Sequence, residues 1–336
     1  MRIEWLISGT QTNWVEENYQ DGGYVYDTYL RKILRSMYDV NVTYLWRGNQ
    51  KSKIKRAFQF GKYLFKNAVI RYKGDIVVRD VFSTVFAPFD RKRKHIVILQ
   101  HIDASGRQYD WFYKAWTKQF FKRVSLASKV VVVSEYWKGI LERAGCSNVT
   151  VIRNPFELNL FDFSQHDLSD FHRNLGIPEG KPVIYLGNAR PEKGYLESYE
   201  VLKNIDAIFV TTGKNKVDLP VLHKFLSYDD YLKLLKISTL VITMSKFNEG
   251  WCRTAHEAML CGTPVIGSGK GGMRELLERG NQIICDSFDK LGPLVTDLIS
   301  DEKKLEDMAI QGKKFASQFT LDYFKKSWID LLASLS

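Results

Sequence analysis

The 336-residue chain lacks several features that would assign it at once. No run approaches the roughly 18 uninterrupted apolar residues of a spanning helix, so none is expected. The four cysteines, Cys146, Cys252, Cys261 and Cys285, form no C-x-x-C pair and no metal-like spacing. Reduced thiols are expected, and a zinc site is not. There is no Asp-x-Asp motif, no low-complexity tract and no internal sequence repeat. A divalent metal held by paired aspartates is therefore not indicated. The N-terminus, Met1 to Ile7, carries an acid inside a short apolar run and reads as a first strand, not a secretory signal. A cytoplasmic protein is expected.

What is present is the composition of a globular chain, 45% hydrophobic and 26% charged. Length allows two domains of ordinary size. The net charge of +11 is unevenly spread: residues 1–153 hold 27 Lys+Arg against 13 Asp+Glu, and residues 154–336 hold 22 against 25. One half is thus suited to an anionic partner. Residues 47–73 contain nine basic residues and no acid. Within them Ile54, Phe58, Gly61, Phe65 and Ala68 recur at helical spacing, with Leu64 and Val69 beside them and Lys55, Lys62 and Lys66 toward the other side. That is a basic amphipathic helix suited to an anionic membrane surface, with part of its stripe packing on the domain's own sheet. Residues 91–94 and the aromatic, basic run 111–123 extend the patch. Nucleic acid is not expected as a partner.

Short β-branched runs alternate with longer helical patterns, which predicts parallel sheets covered by helices. Strands are predicted near 2–7, 40–46, 75–79, 95–100, 129–133 and 149–152, with helices near 23–37, 51–72, 107–127 and 135–144. After a polar, Asp-rich break at 154–181 the pattern restarts, with strands near 182–187, 206–212, 238–243, 264–267 and 281–285. Runs such as 130–133 do not alternate, as suits strands buried on both faces. The predicted organisation is a first domain over 1–155, completed by a C-terminal helix within 320–336, and a second over 156–319. Both are doubly wound, Rossmann-like parallel-sheet domains facing across a cleft.

Residues 249–275 carry the chemistry. A strand leads into a loop ending at Glu249-Gly250, and a helix follows to about Cys261, stopped by Gly262 and Pro264. Glu257 shares a helix face with Arg253 and Cys261. A further strand at 264–267 feeds a glycine-rich turn and a helix from about Met273. Two helix N-termini then open on one side of one sheet, each offering unpaired N–H groups to a phosphate or diphosphate. Gly271-Gly272 lets backbone approach a ligand. Glu249 and Glu257 can accept hydrogen bonds from sugar and ribose hydroxyls.

This stretch resembles the signature of glycosyltransferase family 4, the group 1 retaining glycosyltransferases of GT-B fold. The match comprises Glu-Gly, a second glutamate eight residues on within Glu-Ala-Met, then Gly-x-Pro-Val-Ile and Gly-Gly-x-x-Glu. The resemblance implies that Glu249 contacts the donor sugar, with backbone N–H groups of Gly250, Trp251 and Cys252 nearby, and that Glu257 meets the ribose. The run Leu186-Gly187-Asn188-Ala189-Arg190-Pro191-Glu192-Lys193-Gly194 is similar to the family's diphosphate-clamping element. Lys193 falls on its lysine. Asn188 stands at its arginine position, with Arg190 two residues later. Gly22-Gly23 resembles the family's N-terminal glycine loop near the diphosphate and acceptor, and His101, after a buried strand, a histidine facing the donor sugar.

The resemblance implies transfer, with retention, from a UDP- or GDP-sugar to a hydroxyl of a glycan, a lipid-linked glycan or a lipid. It implies no cofactor and no metal, leaving-group charge being met by Lys193, Arg190 and the helix N-termini. The protein is expected to be peripheral on the inner face of the membrane. The rivals are an epimerase or phosphorylase on the same architecture, and a basic membrane- or nucleic-acid-binding protein without transferase activity.

Overall fold

The computed structural model describes residues 1–7, 22–44, 53–102, 110–214 and 217–335. The chain divides into two compact units, one containing Met1–Ile102, residues 110–155 and the C-terminal residues from Phe324, the other Phe156–Tyr323.

The first unit holds six parallel strands: β1 (Arg2–Ile7), β2 (Asp39–Tyr44), β3 (Ile76–Arg79), β4 (Lys94–Leu99), β5 (Lys129–Val132) and β6 (Val149–Val151). Their order is β2-β1-β3-β4-β5-β6. Every residue of β3, and β4 from His95 onward, is buried, which is why these strands read as continuous apolar runs. The helix Gly22–Arg35 buries Tyr26, Leu30 and Leu34 at four-residue spacing. Tyr26 packs edge-on against Phe324 at 4.9 Å, accepts a hydrogen bond from Trp328 Nε1 at 3.3 Å and donates to the Ile152 carbonyl at 3.2 Å. The C-terminal helix Leu321–Ala333 is thereby locked into this unit through Phe324 and Trp328.

β3 ends on a fully buried arginine. Arg79 donates to His95 Nδ1 at 3.0 Å, to Tyr72 Oη at 2.9 Å and to the carbonyls of Ser83, Ala87 and Pro88. Its guanidinium lies 4.0 Å from the Phe89 ring centroid. Burial lowers its pKa to about 10, so it stays charged and fixes the chain after β3. Burial likewise pushes His95 down to about 4. On the helix Gly22–Arg35, Asp27 accepts from Gln100 Nε2 at 3.4 Å. Loss of hydration raises its carboxyl to about 7; Asp80 adds to the rise, while Arg31 and Gln100 oppose it.

The second unit holds β7 (Val183–Asn188), β8 (Ile208–Thr212), β9 (Leu222–Lys224), β10 (Leu240–Thr243), β11 (Val265–Gly267) and β12 (Ile283–Ile284). All pairings are parallel, in the order β12-β11-β10-β7-β8-β9. This architecture of two six-stranded parallel sheets with alternating helices is the GT-B fold class.

Several elements depart from the sequence expectation. The break at 154–181 contains the helix Gln165–Leu175, N-capped by Ser164 and closed by Gly176 in the left-handed region. Its first turn is polar, so the apolar period is short and easily missed. β9 and the helix Val81–Phe86 were also not foreseen. Gly22 and Gly23 lie inside the first turn of a helix, not in a loop ahead of it. The basic helix runs Lys53–Ala68, and its buried side is Tyr63 and Asn67, with Phe60 half-buried. Phe58 and Phe65, on the stripe expected to pack on the sheet only in part, are 70% and 71% exposed. Lys55, Lys62 and Lys66 are exposed beside them. No helix among the described residues is long and apolar enough to cross a membrane.

Candidate functional site

The strand order of the second sheet reverses between β7 and β10, the place where doubly wound sheets take ligands. A pocket lies there, at the carboxyl ends of those strands. Its lining includes Gly187 and Asn188 at the end of β7, Lys193 after it, Thr243 and Ser245 at the end of β10, and Glu249, Cys252 and Thr254 beyond.

Backbone contacts bring its two charged groups together. Gly194 follows Lys193 with φ +74°, and a Cβ there would stand 2.3 Å from the Met244 carbonyl oxygen. Only glycine combines that conformation with that approach. The Lys246 N–H donates to the Glu192 carbonyl at 2.9 Å, so the turn bearing Lys193 is tied to the loop after β10. Lys193 Nζ then reaches Glu249 Oε1 at 2.6 Å and lies 4.8 Å from the Phe247 ring centroid. The Ser245 hydroxyl donates to the same carboxylate oxygen. Burial works against the Lys193 ammonium, but the Glu249 carboxylate outweighs it, so its pKa lies above the ordinary lysine value and the charge is kept.

Glu249 is itself clamped by the glycine-rich turn. Its N–H donates to the Lys270 carbonyl at 3.2 Å, and its carbonyl accepts from the Gly272 N–H at 2.9 Å. Gly271 has φ +68°, and a Cβ there would stand 2.4 Å from the Glu249 carbonyl oxygen. Gly271, expected to make room for a ligand, makes room for the backbone of Glu249.

Cys252 precedes the helix Arg253–Leu260 with φ +67° and ψ 75°, and no side chain caps that helix through a hydrogen bond. The N-terminus of that helix opens beside the pocket, which Cys252 and Thr254 line. Burial, with Glu249 nearby, raises the Cys252 thiol to about 12, so it is protonated at neutral pH. All four cysteines are free and buried. Among the described residues, no cluster of three or more His, Cys, Asp or Glu side chains could hold a metal.

Glu257 is 4% exposed and held by internal donors: Tyr228 Oη at 2.9 Å and Arg253 Nη2 at 2.8 Å on Oε1, and Tyr231 Oη at 3.1 Å on Oε2. The side chain expected to meet ribose therefore already anchors the first turn of its own helix. A carboxylate offers about four acceptor positions; Arg253 Nε also reaches Oε1 at 3.2 Å, so Oε1 is crowded while Oε2, with one donor, keeps a position for a hydroxyl.

The remaining expected residues fall into separate places. Gly250 and Trp251 are buried in the loop after Glu249. The Trp251 indole turns inward, donating to His256 Nδ1 at 2.8 Å. Arg190 is exposed and paired with Glu192 at 2.7 Å, whereas Asn188 lines the pocket. His101 lies exposed after β4 in the first unit, and Gly22 and Gly23 belong to the same unit, at the start of their helix. Ser245, Tyr228, Tyr231 and Thr254 were not singled out beforehand. The hydroxyls of the first three serve carboxylates distant in sequence or a turn away, and single serines and tyrosines carry no motif.

Residues 169–315 match the family model of glycosyl transferases group 1. An uncharacterized glycosyltransferase of Methanocaldococcus jannaschii is 24% identical over 220 residues, 60% of this chain and 59% of the relative. A GDP-mannose-dependent alpha-mannosyltransferase of Mycolicibacterium smegmatis is 28% identical over 145 residues, 39% of this chain and 38% of the relative. The matches thus span between about two fifths and three fifths of these relatives' length. Among solved structures, Anabaena HepE in complex with UDP superposes with a TM-score of 0.74 at 21% identity, over 99% of this chain and 100% of that one. WaaG, a glycosyltransferase involved in lipopolysaccharide biosynthesis, does so at 0.73 and 11%, over 98% and 99%. The likeness to both is one of fold. The second unit thus resembles the group 1 glycosyl transferases in sequence, and the chain shares the fold of the two solved structures.

Proposed function

We propose that the chain transfers a hexose from a UDP- or GDP-sugar to a hydroxyl of a glycan, a lipid-linked glycan or a lipid, with retention at the anomeric carbon. The observation that most supports this is the Lys193–Glu249 pair, 2.6 Å apart in a pocket at the strand-order reversal. One partner suits a diphosphate and the other the hydroxyls of a sugar. The bond from the anomeric carbon to the diphosphate oxygen breaks as the bond to the acceptor oxygen forms on the same face. The acceptor proton passes to the departing diphosphate. Lys193 and the first-turn N–H groups of the helix Arg253–Leu260 take the charge that develops on the leaving group, with Arg190 joining once it leaves Glu192. Glu249 and the N–H groups of Gly250, Trp251 and Cys252 orient the sugar, and Glu257 meets the ribose. These positive groups act in place of a divalent cation, so turnover persists in EDTA. A thermal-shift screen of nucleotide sugars tests the proposal, since a ligand bound at 100 times its Kd stabilises by about 2.7 kcal/mol. No shift with any UDP- or GDP-sugar would overturn it.

A membrane-facing role for the first unit is favoured by a separate observation. Phe58, Leu64 and Phe65 on the helix Lys53–Ala68, and Val69 just after it, are exposed, as are Lys55, Lys62 and Lys66. Aromatic side chains ringed by lysines suit the headgroup region of an anionic bilayer. A peripheral location and a lipid-borne acceptor follow from that reading.

A further inference from the structure

Ser245 stands at the carboxyl end of β10, 2% exposed, and lines the same pocket as Lys193 and Glu249. Its hydroxyl donates to Glu249 Oε1, the oxygen that also accepts from Lys193 Nζ. Nothing in the motif reading assigns it a part.

We propose that Ser245 is a positioning residue that holds the Glu249 carboxylate in its sugar-accepting place when Lys193 turns to an anionic ligand. The inference rests on the nucleotide-sugar reading of this pocket. A carboxylate buried to 6% exposure has lost most of its hydration and depends on fixed donors. Lys193 is a charged donor on a flexible stem, and a diphosphate carrying negative charge competes for it directly. Ser245 is neutral, so a phosphate draws on its hydroxyl less strongly than on the Lys193 ammonium. Its backbone follows a buried strand paired on both sides, to β7 and β11, so its position does not drift with the ligand. Ser245 therefore preserves the orientation of Glu249 through the exchange of Lys193 from carboxylate to phosphate. The residue acts through Glu249 and not on the diphosphate, so removing it should cost affinity for the sugar moiety and spare the nucleotide.

That division provides the test. Calorimetric affinities for UDP and UDP-glucose, and for GDP and GDP-mannose, give the increment in binding that the sugar adds. Wild type, Ser245→Ala, Glu249→Ala and the double variant are compared, each checked for native circular dichroism. In Ser245→Ala the sugar increment should fall about tenfold, with nucleotide affinity within twofold of wild type. In the Glu249→Ala background the same substitution should add less than a twofold change, because its effect runs through the missing carboxylate. An unchanged increment in Ser245→Ala overturns the inference, as does an independent loss in the double variant or an equal loss for nucleotide alone. Failure of wild type to bind either nucleotide would overturn the underlying functional reading instead, and is distinguishable because it is seen before any substitution is made.

Discussion

Lys193 and Glu249 lie 56 residues apart in sequence and meet at 2.6 Å between Nζ and Oε1. Neither side chain reaches the other alone. Gly194 sits against the Met244 carbonyl, Gly271 against the Glu249 backbone, and a main-chain hydrogen bond links Glu192 to Lys246. The pair is a product of backbone packing at the ends of β7 and β10, and several expected outcomes depend on that origin.

Substituting one partner of this pair leaves the other buried without its counter-charge. Lys193→Met or Glu249→Gln alone should lower stability by about 3 kcal/mol. The double variant should recover part of that loss, since both charges are then gone. Urea denaturation of the three variants measures it; strictly additive losses would show the pair is not coupled.

Gly194→Ala places a Cβ 2.3 Å from a backbone oxygen at a φ of +74°. The turn must shift, at about 2–4 kcal/mol, and Lys193 shifts with it. Denaturant midpoint and nucleotide affinity should fall together. A variant with wild-type values for both would remove the glycine from the account.

Asp27 sets a pH dependence. Its folded pKa of about 7 lies above the ordinary aspartate value of 3.8 because burial disfavours the anion. Between those values the folded protein holds a proton that the unfolded chain has released, so this group's contribution to stability is lost as pH rises toward about 7. Asp27→Asn mimics the neutral form. Its stability relative to wild type should grow from near zero at pH 4 to a few kcal/mol at pH 8. Paired urea titrations at those two values read it directly, and a difference independent of pH would contradict the expectation.

Much of the architecture was legible because buried parallel strands are short unbroken apolar runs, as at Val130–Val132 and Leu240–Thr243. The Arg253–Glu257 pair was legible too, four residues apart on one helix face. The helix Gln165–Leu175 was not, since only Phe171 and Leu175 of its residues are buried and eleven positions give little period to read. Tertiary partners were equally hidden. Nothing local to Glu257 announces that Tyr228 and Tyr231 donate to its oxygens, and nothing local to Gly271 says that the ligand-like group it admits is the protein's own backbone. The outward aromatic face of the helix Lys53–Ala68 was half legible: the period is plain, but which stripe meets the core depends on Tyr63 and Asn67 finding their places.

That face yields an outcome of its own. Phe58→Ser with Phe65→Ser removes two exposed rings and no core contact, so thermal stability should change little. Flotation with vesicles containing anionic lipid should fall severalfold at low salt, and Lys62→Glu with Lys66→Glu should act in the same direction. Equal flotation of all variants, or none by the wild type, would remove the membrane role.

The central claim is that the pocket holding Lys193 and Glu249 binds and turns over a nucleotide sugar. Release of nucleoside diphosphate from a panel of UDP- and GDP-sugars, with and without a glycan or lipid acceptor, tests it most directly in wild type beside Lys193→Ala and Glu249→Ala. At least one donor should be consumed by the wild type. Each variant, its circular dichroism native, should be slower by about a hundredfold or more, the scale of losing a preorganised charge at a reacting centre. Wild-type-like turnover in either variant would contradict the account.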